Sequence, residues 1–410
     1  MRRAAHTLLL CLACLCLGPL TGTAGAAPSI ESSALSPSDS QAGAHADLDI
    51  WVALKDPGEP EAAKDLLIDL PPGYFLYPSL QVRCTPAQFG GSECPVDSQV
   101  GVVTVHGSYE GNPEFELGTA PVHLLAPEGG GTRLGFVVPT AEVPVEAPVT
   151  ASLGGEYGLE LALRNLPQST PLRSLALTLW GVPADPVHDA ERGGPASAPA
   201  APFTRNPTSC GPGKALSVEV DSYQDPGDFA SASGSTSSMV GCGKLAFHPA
   251  LEVGLTSSQA SAQAGLNLAV EIPGDLSPGG RSSSDAGEIF LALPPELQLD
   301  EEALPSPPAP LGSFSATVLG VEAPFAGTAL FLGPFSLSTY RLALIGSAGG
   351  IQLALPALLE FDAAEGSWAV RLPSLPQLPF EELELKLGNA AGPFIAPPEC
   401  GTFEAASEMI

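Results

Sequence analysis

The residues best suited to chemistry gather after Trp180, where Asp185, His188, Asp189, Glu191 and Arg192 fall within one loop. A histidine flanked by aspartates is the kind of set that forms a general base or a metal site, because imidazole titrates near neutrality and carboxylates orient it. Pro183 and Pro186 in the same stretch suit a plain solvated insertion equally well. Asp221, Asp225 and Asp228 surround a turn and offer the hard oxygen ligands that calcium takes, but their spacing matches no calcium loop, and aspartates cap turns more often. Trp180 falls on the outward phase of a strand carrying Leu175, Leu177 and Leu179, and Trp51 is outward on its own strand. An exposed indole can stack on a sugar ring, and it can also fill an inter-sheet gap. No serine stands in G-x-S-x-G and no histidine pair has the H-E-x-x-H spacing. Gly211-Pro212-Gly213-Lys214 and Gly241-Cys242-Gly243-Lys244 lack the hydroxyl residue and the helix of a phosphate loop. The expectation is a chain that is not an enzyme, with no catalytic residue, no cofactor and no metal site beyond the weak aspartate candidates.

The elements that must position these residues are strands. Leu48, Ile50 and Val52 alternate with Asp47, Asp49 and Trp51, and Leu383, Leu385 and Leu387 alternate with Glu384 and Lys386, the period-two pattern of a half-buried strand. Long stretches of helical period are missing, and Pro or Gly separates most candidate strands. Two regions roughly two hundred residues apart resemble each other in order. Ser40-Gln41-Ala42 and Leu48-Asp49-Ile50 return as Ser258-Gln259-Ala260 and Leu266-Asn267-Leu268. Leu70-Pro71-Pro72, Gly118-Thr119-Ala120 and Cys210-Gly211 return as Leu293-Pro294-Pro295, Gly327-Thr328-Ala329 and Cys400-Gly401. The chain is therefore expected to be all-β: two tandem, diverged antiparallel β-sandwich repeats, each with about ten short strands. Repeat one is placed at 44–252 and repeat two at 253–410, with a disordered segment over 27–43, an extra loop from Gly181 to about Ala201, and a flexible Ser/Gly/Ala insertion at 230–241. Splitting each repeat into two smaller sandwiches is the alternative.

Arg2-Arg3, the apolar run Leu8 to Leu17 and Ala24-Gly25-Ala26 read as a cleaved signal peptide over 1–26, so the expected location is secreted or at the cell surface. The apolar run is too short to span a bilayer, which needs about 20 residues. No later stretch is an uninterrupted apolar span: Tyr340 to Leu359 is broken by Arg341, Gly346 and Pro356. A formal charge of −29, with 16 Lys and Arg against 45 Asp and Glu, excludes nucleic acid as a partner. Five of the 8 cysteines follow the leader. In an oxidising compartment Cys84 pairs most simply with Cys94 across a turn-rich segment, and Cys210 with Cys242. The step from Cys210 to Cys242, taken again from Cys400, passes Ile410, so Cys400 is expected to be a free thiol, an intermolecular bridge or the mark of a truncated reading frame.

Leu70-Pro71-Pro72-Gly73, Arg83-Cys84-Thr85-Pro86-Ala87-Gln88-Phe89 and Cys94-Pro95-Val96-Asp97-Ser98-Gln99-Val100-Gly101 carry a family resemblance. Trp180-Gly181-Val182-Pro183-Ala184-Asp185-Pro186, Asn206-Pro207-Thr208-Ser209-Cys210 and Tyr223-Gln224-Asp225-Pro226 extend it over nearly all of the chain after the leader. The sequence resembles a family of secreted tandem-repeat β proteins of high-GC actinobacteria. The resemblance implies export and repeat architecture, and no catalytic residue. The function expected is a non-catalytic structural or adhesive protein whose partner is a protein or glycan of the cell envelope. A glycan-binding module using Trp51 or Trp180 is the second expectation, and a metal-dependent hydrolase on the Trp180 loop the last.

Overall fold

The computed structural model describes residues 28–410 apart from 56–61, 128–130, 152–156, 212–214, 350 and 389–391. The signal peptide expected over 1–26 lies outside the described residues. In chain order the first strands are β1 (Ile30–Pro37), β2 (Leu48–Leu54), β3 (Ala63–Asp69), β4 (Phe75–Leu76), β5 (Gln99–Tyr109) and β6 (Asn112–Leu125). There follow β7 (Thr132–Val138), β8 (Val143–Ala151), β9 (Leu159–Leu163), β10 (Leu172–Leu179), β11 (Thr204–Arg205), β12 (Leu216–Ser222) and β13 (Ala230–Thr236). The second half contributes β14 (Ala250–Leu255), β15 (Gln263–Ala264), β16 (Leu266–Glu271), β17 (Ile289–Ala292), β18 (Gln298–Leu299) and β19 (Ala309–Val318). It ends with β20 (Phe325–Ser336), β21 (Thr339–Ala348), β22 (Ile351–Asp362), β23 (Ser367–Leu372), β24 (Phe380–Leu387), β25 (Phe394–Ile395) and β26 (Ala406–Met409).

The first half is a closed barrel in the order β1, β13, β12, β3, β9, β8, β7, β6, β5, β10, β2, not the expected sandwich. A period-two pattern buries one face of every strand in either architecture, so the periodicity does not distinguish them. What decides is whether the edge strands meet. Here they do, through parallel pairing of β13 with β1 at Ala34 opposite Ser235 and Leu35 opposite Thr236. Apolar side chains such as Leu48, Ile50, Val52, Val103 and Leu161 fill the interior, while Asp49 and Thr178, and Thr104 and Thr119, hydrogen-bond to each other on the outside. That arrangement is the reverse of a barrel built to face lipid. Among the described residues no helix is long and apolar enough to cross a membrane.

Two expected loops are strands. Ile30–Pro37, placed in a disordered segment, forms β1 and buries Leu35 to 1% exposure. Ala230–Thr236, placed in a flexible insertion, forms β13, with Ala230, Ala232 and Gly234 opposite Val220, Val218 and Leu216 of β12. Ser/Gly/Ala composition reads as a linker when neighbours are unknown. Between two strands that each offer a row of backbone partners, small alternating side chains are sufficient for a strand. The boundary expected at 252/253 falls inside β14, which pairs along its whole length with β16 of the second half.

The second half is a ten-stranded sheet in the order β14, β16, β24, β19, β20, β21, β22, β23, β17, β26. Read from β1 through β2 to β12, the barrel follows the same spatial order, strand for strand. Registers agree as well: Val105 faces Gly118 where Phe314 faces Gly327, and Leu48 faces Leu179 where Leu266 faces Leu387. Gly101 and Gly312 hold matching close approaches, where a Cβ would lie 2.1 Å from the Thr178 carbonyl oxygen and 1.8 Å from that of Lys386. No side chain larger than hydrogen fits either place. Small ribbons recur too, β4 with β11 and β18 with β25.

Candidate functional site

The Trp180 loop folds inward on itself. Trp180, expected to stand outward as a sugar platform, is 0% exposed, and that expectation is corrected. Strand β10 ends at Leu179, so the outward phase of the strand no longer governs Trp180. Its backbone N–H donates to the Val100 carbonyl at 2.8 Å. The His188 ring stacks on the indole at 4.4 Å and 12°, and the Arg192 guanidinium lies 5.9 Å from the indole centroid. Arg192 donates to the Pro183 carbonyl, the Asp189 carboxylate and the Gly194 carbonyl.

The expected constellation does not converge. Asp185 accepts the Val187 N–H at 2.9 Å and caps a turn, Asp189 holds Arg192, and Glu191 is exposed. His188 is buried with Nε2 3.4 Å from Asp47 Oδ1, and the same oxygen accepts the Gly181 N–H at 2.7 Å. Burial opposes the charge on Asp47, but the hydrogen bonds from His188 and Gly181 outweigh it and lower the carboxyl's pKa. The loop therefore latches onto the barrel through Asp47, and its polar groups hold its own shape.

The aspartates proposed for calcium share one turn, where the Asp228 N–H donates to the Asp225 carbonyl at 3.2 Å. Asp221, 1% exposed, accepts the N–H groups of Asp65 at 2.8 Å and Gly227 at 2.7 Å. Asp225 and Asp228 are exposed. Among the described residues no group of three His, Cys, Asp or Glu side chains is placed to hold a metal ion. Both carboxylate oxygens of Asp221 thus serve as acceptors for backbone N–H groups.

Trp51 stands outward as expected, 39% exposed, with Nε1–H donating to Ser32 Oγ at 3.2 Å. Trp368 is core, 9% exposed. The disulfides Cys84–Cys94 and Cys210–Cys242 are formed, and Cys400 is an exposed free cysteine. Between the first pair lies a one-turn helix, α1 (Pro86–Gly90), where Thr85 and Gln88 form a reciprocal capping box.

Sequence reasoning missed the junction between the two halves. Arg205, 0% exposed, donates from Nη1 to Asp285 Oδ1 at 2.7 Å and from Nη2 to Asp285 Oδ2 at 2.8 Å. Thr208 Oγ1 donates to the same carboxylate at 3.1 Å, and Ser209 Oγ donates to Gln377 Oε1 at 2.9 Å. Tyr77, wholly buried, packs with Phe75 into the core of the second half. Beside this junction a largely apolar groove of about 250 Å³ runs between the halves, lined by Phe75, Tyr157, Val318, Phe325 and Leu353, with the Arg83–Glu322 ion pair at 2.6 Å. The one available signal was Arg205 itself, a rare base beside the Asn206-to-Cys210 motif, but no spacing rule joins it to an aspartate eighty positions on.

His123 contributes a pH dependence. Its Nδ1 lies 2.9 Å from Ser98 Oγ, and burial pushes its pKa from 6.5 down to about 4. The unfolded chain takes up this proton near the ordinary value and the folded chain does not. Its contribution is therefore whole above pH 6.5 and is lost as pH falls toward 4. His45, lowered mainly by burial, adds in the same direction. The urea midpoint should fall between those pH values, and His123→Gln should flatten that fall; an unchanged slope in the variant would remove the assignment.

Set against known proteins, the chain matches no protein-family model and no curated protein.

Proposed function

We propose that this chain is a non-catalytic structural or adhesive protein acting outside the cytoplasm, built by duplication of one β unit. The observation that carries the reading is the fate of its polar groups: the Trp180 loop, the Asp221 cluster and the Arg205–Asp285 pair each hold the fold together. The shared strand order of the two sheets supports the duplication. Two disulfides and the leader-like N-terminus support export. The resemblance to secreted actinobacterial repeat proteins points the same way.

Fractionation tests the reading. Expressed with its leader in an actinobacterial host, the protein should appear outside the membrane, shortened after Ala26, with both disulfides intact; accumulation of the uncleaved chain in the cytoplasm would defeat it. The exposure of Trp51 favours glycan contact as a second reading. Titration with cell-wall polysaccharide should then shift tryptophan emission in the wild type and leave Trp51→Phe unmoved, since Trp180 and Trp368 are buried. A flat wild-type response would eliminate it.

A further inference from the structure

Among the described residues that line the groove between the halves, Arg83 and Glu322 alone carry charge. The others are mostly apolar, and both halves supply them: Phe75 and Leu159 from the first, Val318, Phe325 and Leu353 from the second. Arg83 is anchored at its base. The next residue, Cys84, is bonded to Cys94, and its N–H and carbonyl pair with the Leu124 carbonyl and the Ala126 N–H, both at 2.8 Å. The guanidinium donates from Nη2 to the Pro78 carbonyl at 3.4 Å, which leaves Nη1 turned to Glu322 at 2.6 Å. Glu322 lies in the turn between β19 and β20. Gly320 shapes that turn at φ +81°, and a Cβ there would stand 2.5 Å from the Tyr77 ring, so only glycine lets the turn sit so close. Tyr157 ties the two halves together. Its backbone is held at φ +52°, and its hydroxyl accepts the Ala354 N–H of β22 at 2.7 Å and donates to the Ala354 carbonyl at 3.4 Å.

The ion pair stands at the opening of the groove, since the Arg83 side chain is 26% and the Glu322 side chain 62% exposed. A pair this open to water adds little to stability, so exchanging one carboxylate for another on Arg83 costs little. Glu322 already shows where such a group sits. The space behind it sets the size of what could follow. An apolar cavity of about 150 Å³ takes up benzene, six carbons, and on that scale the groove, at about 250 Å³, holds roughly ten non-hydrogen atoms. A cleft between two halves, apolar within and carrying one charged group at its mouth, has the make-up of a small-molecule site.

We propose that the groove binds a small monocarboxylate with an apolar body of about eight carbons, the body enclosed between the halves and the carboxylate on the Arg83 guanidinium in place of Glu322. Eight carbons and two oxygens fill the available space. The chemistry of the walls sets the class of ligand. A sugar would leave its hydroxyls unpaired against Phe75, Val318 and Leu353, and a cation would meet the Arg83 guanidinium. The overall charge of −29 opposes an anion at a distance, but salt screens that field. Within the groove Glu322 is the one acid among the described residues, and the incoming carboxylate displaces it. Binding depends on the groove alone, and neither the location of the protein nor an adhesive role enters.

Isothermal titration of the full chain with octanoate, butanoate and 1-octanol tests this. Octanoate should bind one to one, and butanoate at least about thirtyfold more weakly, because each buried methylene is worth roughly fourfold. Two variants separate the head of the ligand from its body. Arg83→Gln should weaken octanoate at least about tenfold and leave 1-octanol within about twofold of the wild type. Glu322→Gln removes the competing carboxylate and should tighten octanoate at least about threefold, again without moving 1-octanol. Both side chains are partly exposed, so the urea midpoints of the variants should stay at the wild-type value, which shows that the fold is kept. No binding of octanoate at millimolar concentration would overturn the site. Butanoate binding as well as octanoate would overturn the apolar body. Octanoate binding that neither variant alters, or that both alter equally for 1-octanol, would overturn the place of the carboxylate on Arg83.

Discussion

Arg205→Ala is expected to cost about 3–5 kcal/mol, because it leaves the Asp285 carboxylate inside the junction without its cation. The pair is enclosed, with the Arg205 side chain 0% and the Asp285 side chain 5% exposed, so water cannot stand in for the guanidinium. Breaking one partner and removing both are different experiments. Arg205→Met combined with Asp285→Leu removes both desolvated charges and should recover most of the loss. Tryptophans report the halves separately, since Trp51 and Trp180 belong to the first and Trp368 to the second. In urea, both sets of signals should move to lower midpoints in the single variant. A midpoint within error of the wild type would show that the junction does not depend on this pair.

Trp180→Ala should destabilise the first half by roughly 3–5 kcal/mol, the range for truncating a buried aromatic side chain. The cost is the cavity together with the loss of contacts to His188 and Arg192, which lie against the ring. The loop should loosen at the same time. Amides between Val182 and Gly194 are expected to exchange faster, and limited proteolysis should cut at Arg192, which is buried in the wild type. Trp180→Phe keeps an aromatic face for His188 and should recover about half of the stability. If Trp180→Ala unfolded at the wild-type midpoint with unaltered loop exchange, the latch would be only a surface feature.

Much of the fold was legible in the residues. The alternation at Leu48, Ile50 and Val52 and at Leu383, Leu385 and Leu387 marked strands that are strands, because a half-buried pleat imposes period two whatever lies beyond it. Cys84 with Cys94 and Cys210 with Cys242 were legible because each pair stands close in sequence. The recurring triplets lie on matching strands, Gly118-Thr119-Ala120 on β6 and Gly327-Thr328-Ala329 on β20. The candidate sites were less legible. Asp185, His188 and Asp189 looked like a constellation only because sequence proximity says nothing about where side chains point once a loop closes over a tryptophan.

Residue order alone determined the strand pattern and the neighbouring disulfides, since each depends on local periodicity or short spacing. Tertiary structure alone decided that Ala230–Thr236 closes a barrel, that Trp180 is buried, and that Arg205 meets Asp285. The physical reason is common to all three. Strand pairing across a barrel, closure of a loop and burial of an ion pair depend on partners far away in sequence, and a period or a motif read along one stretch of chain carries no information about them.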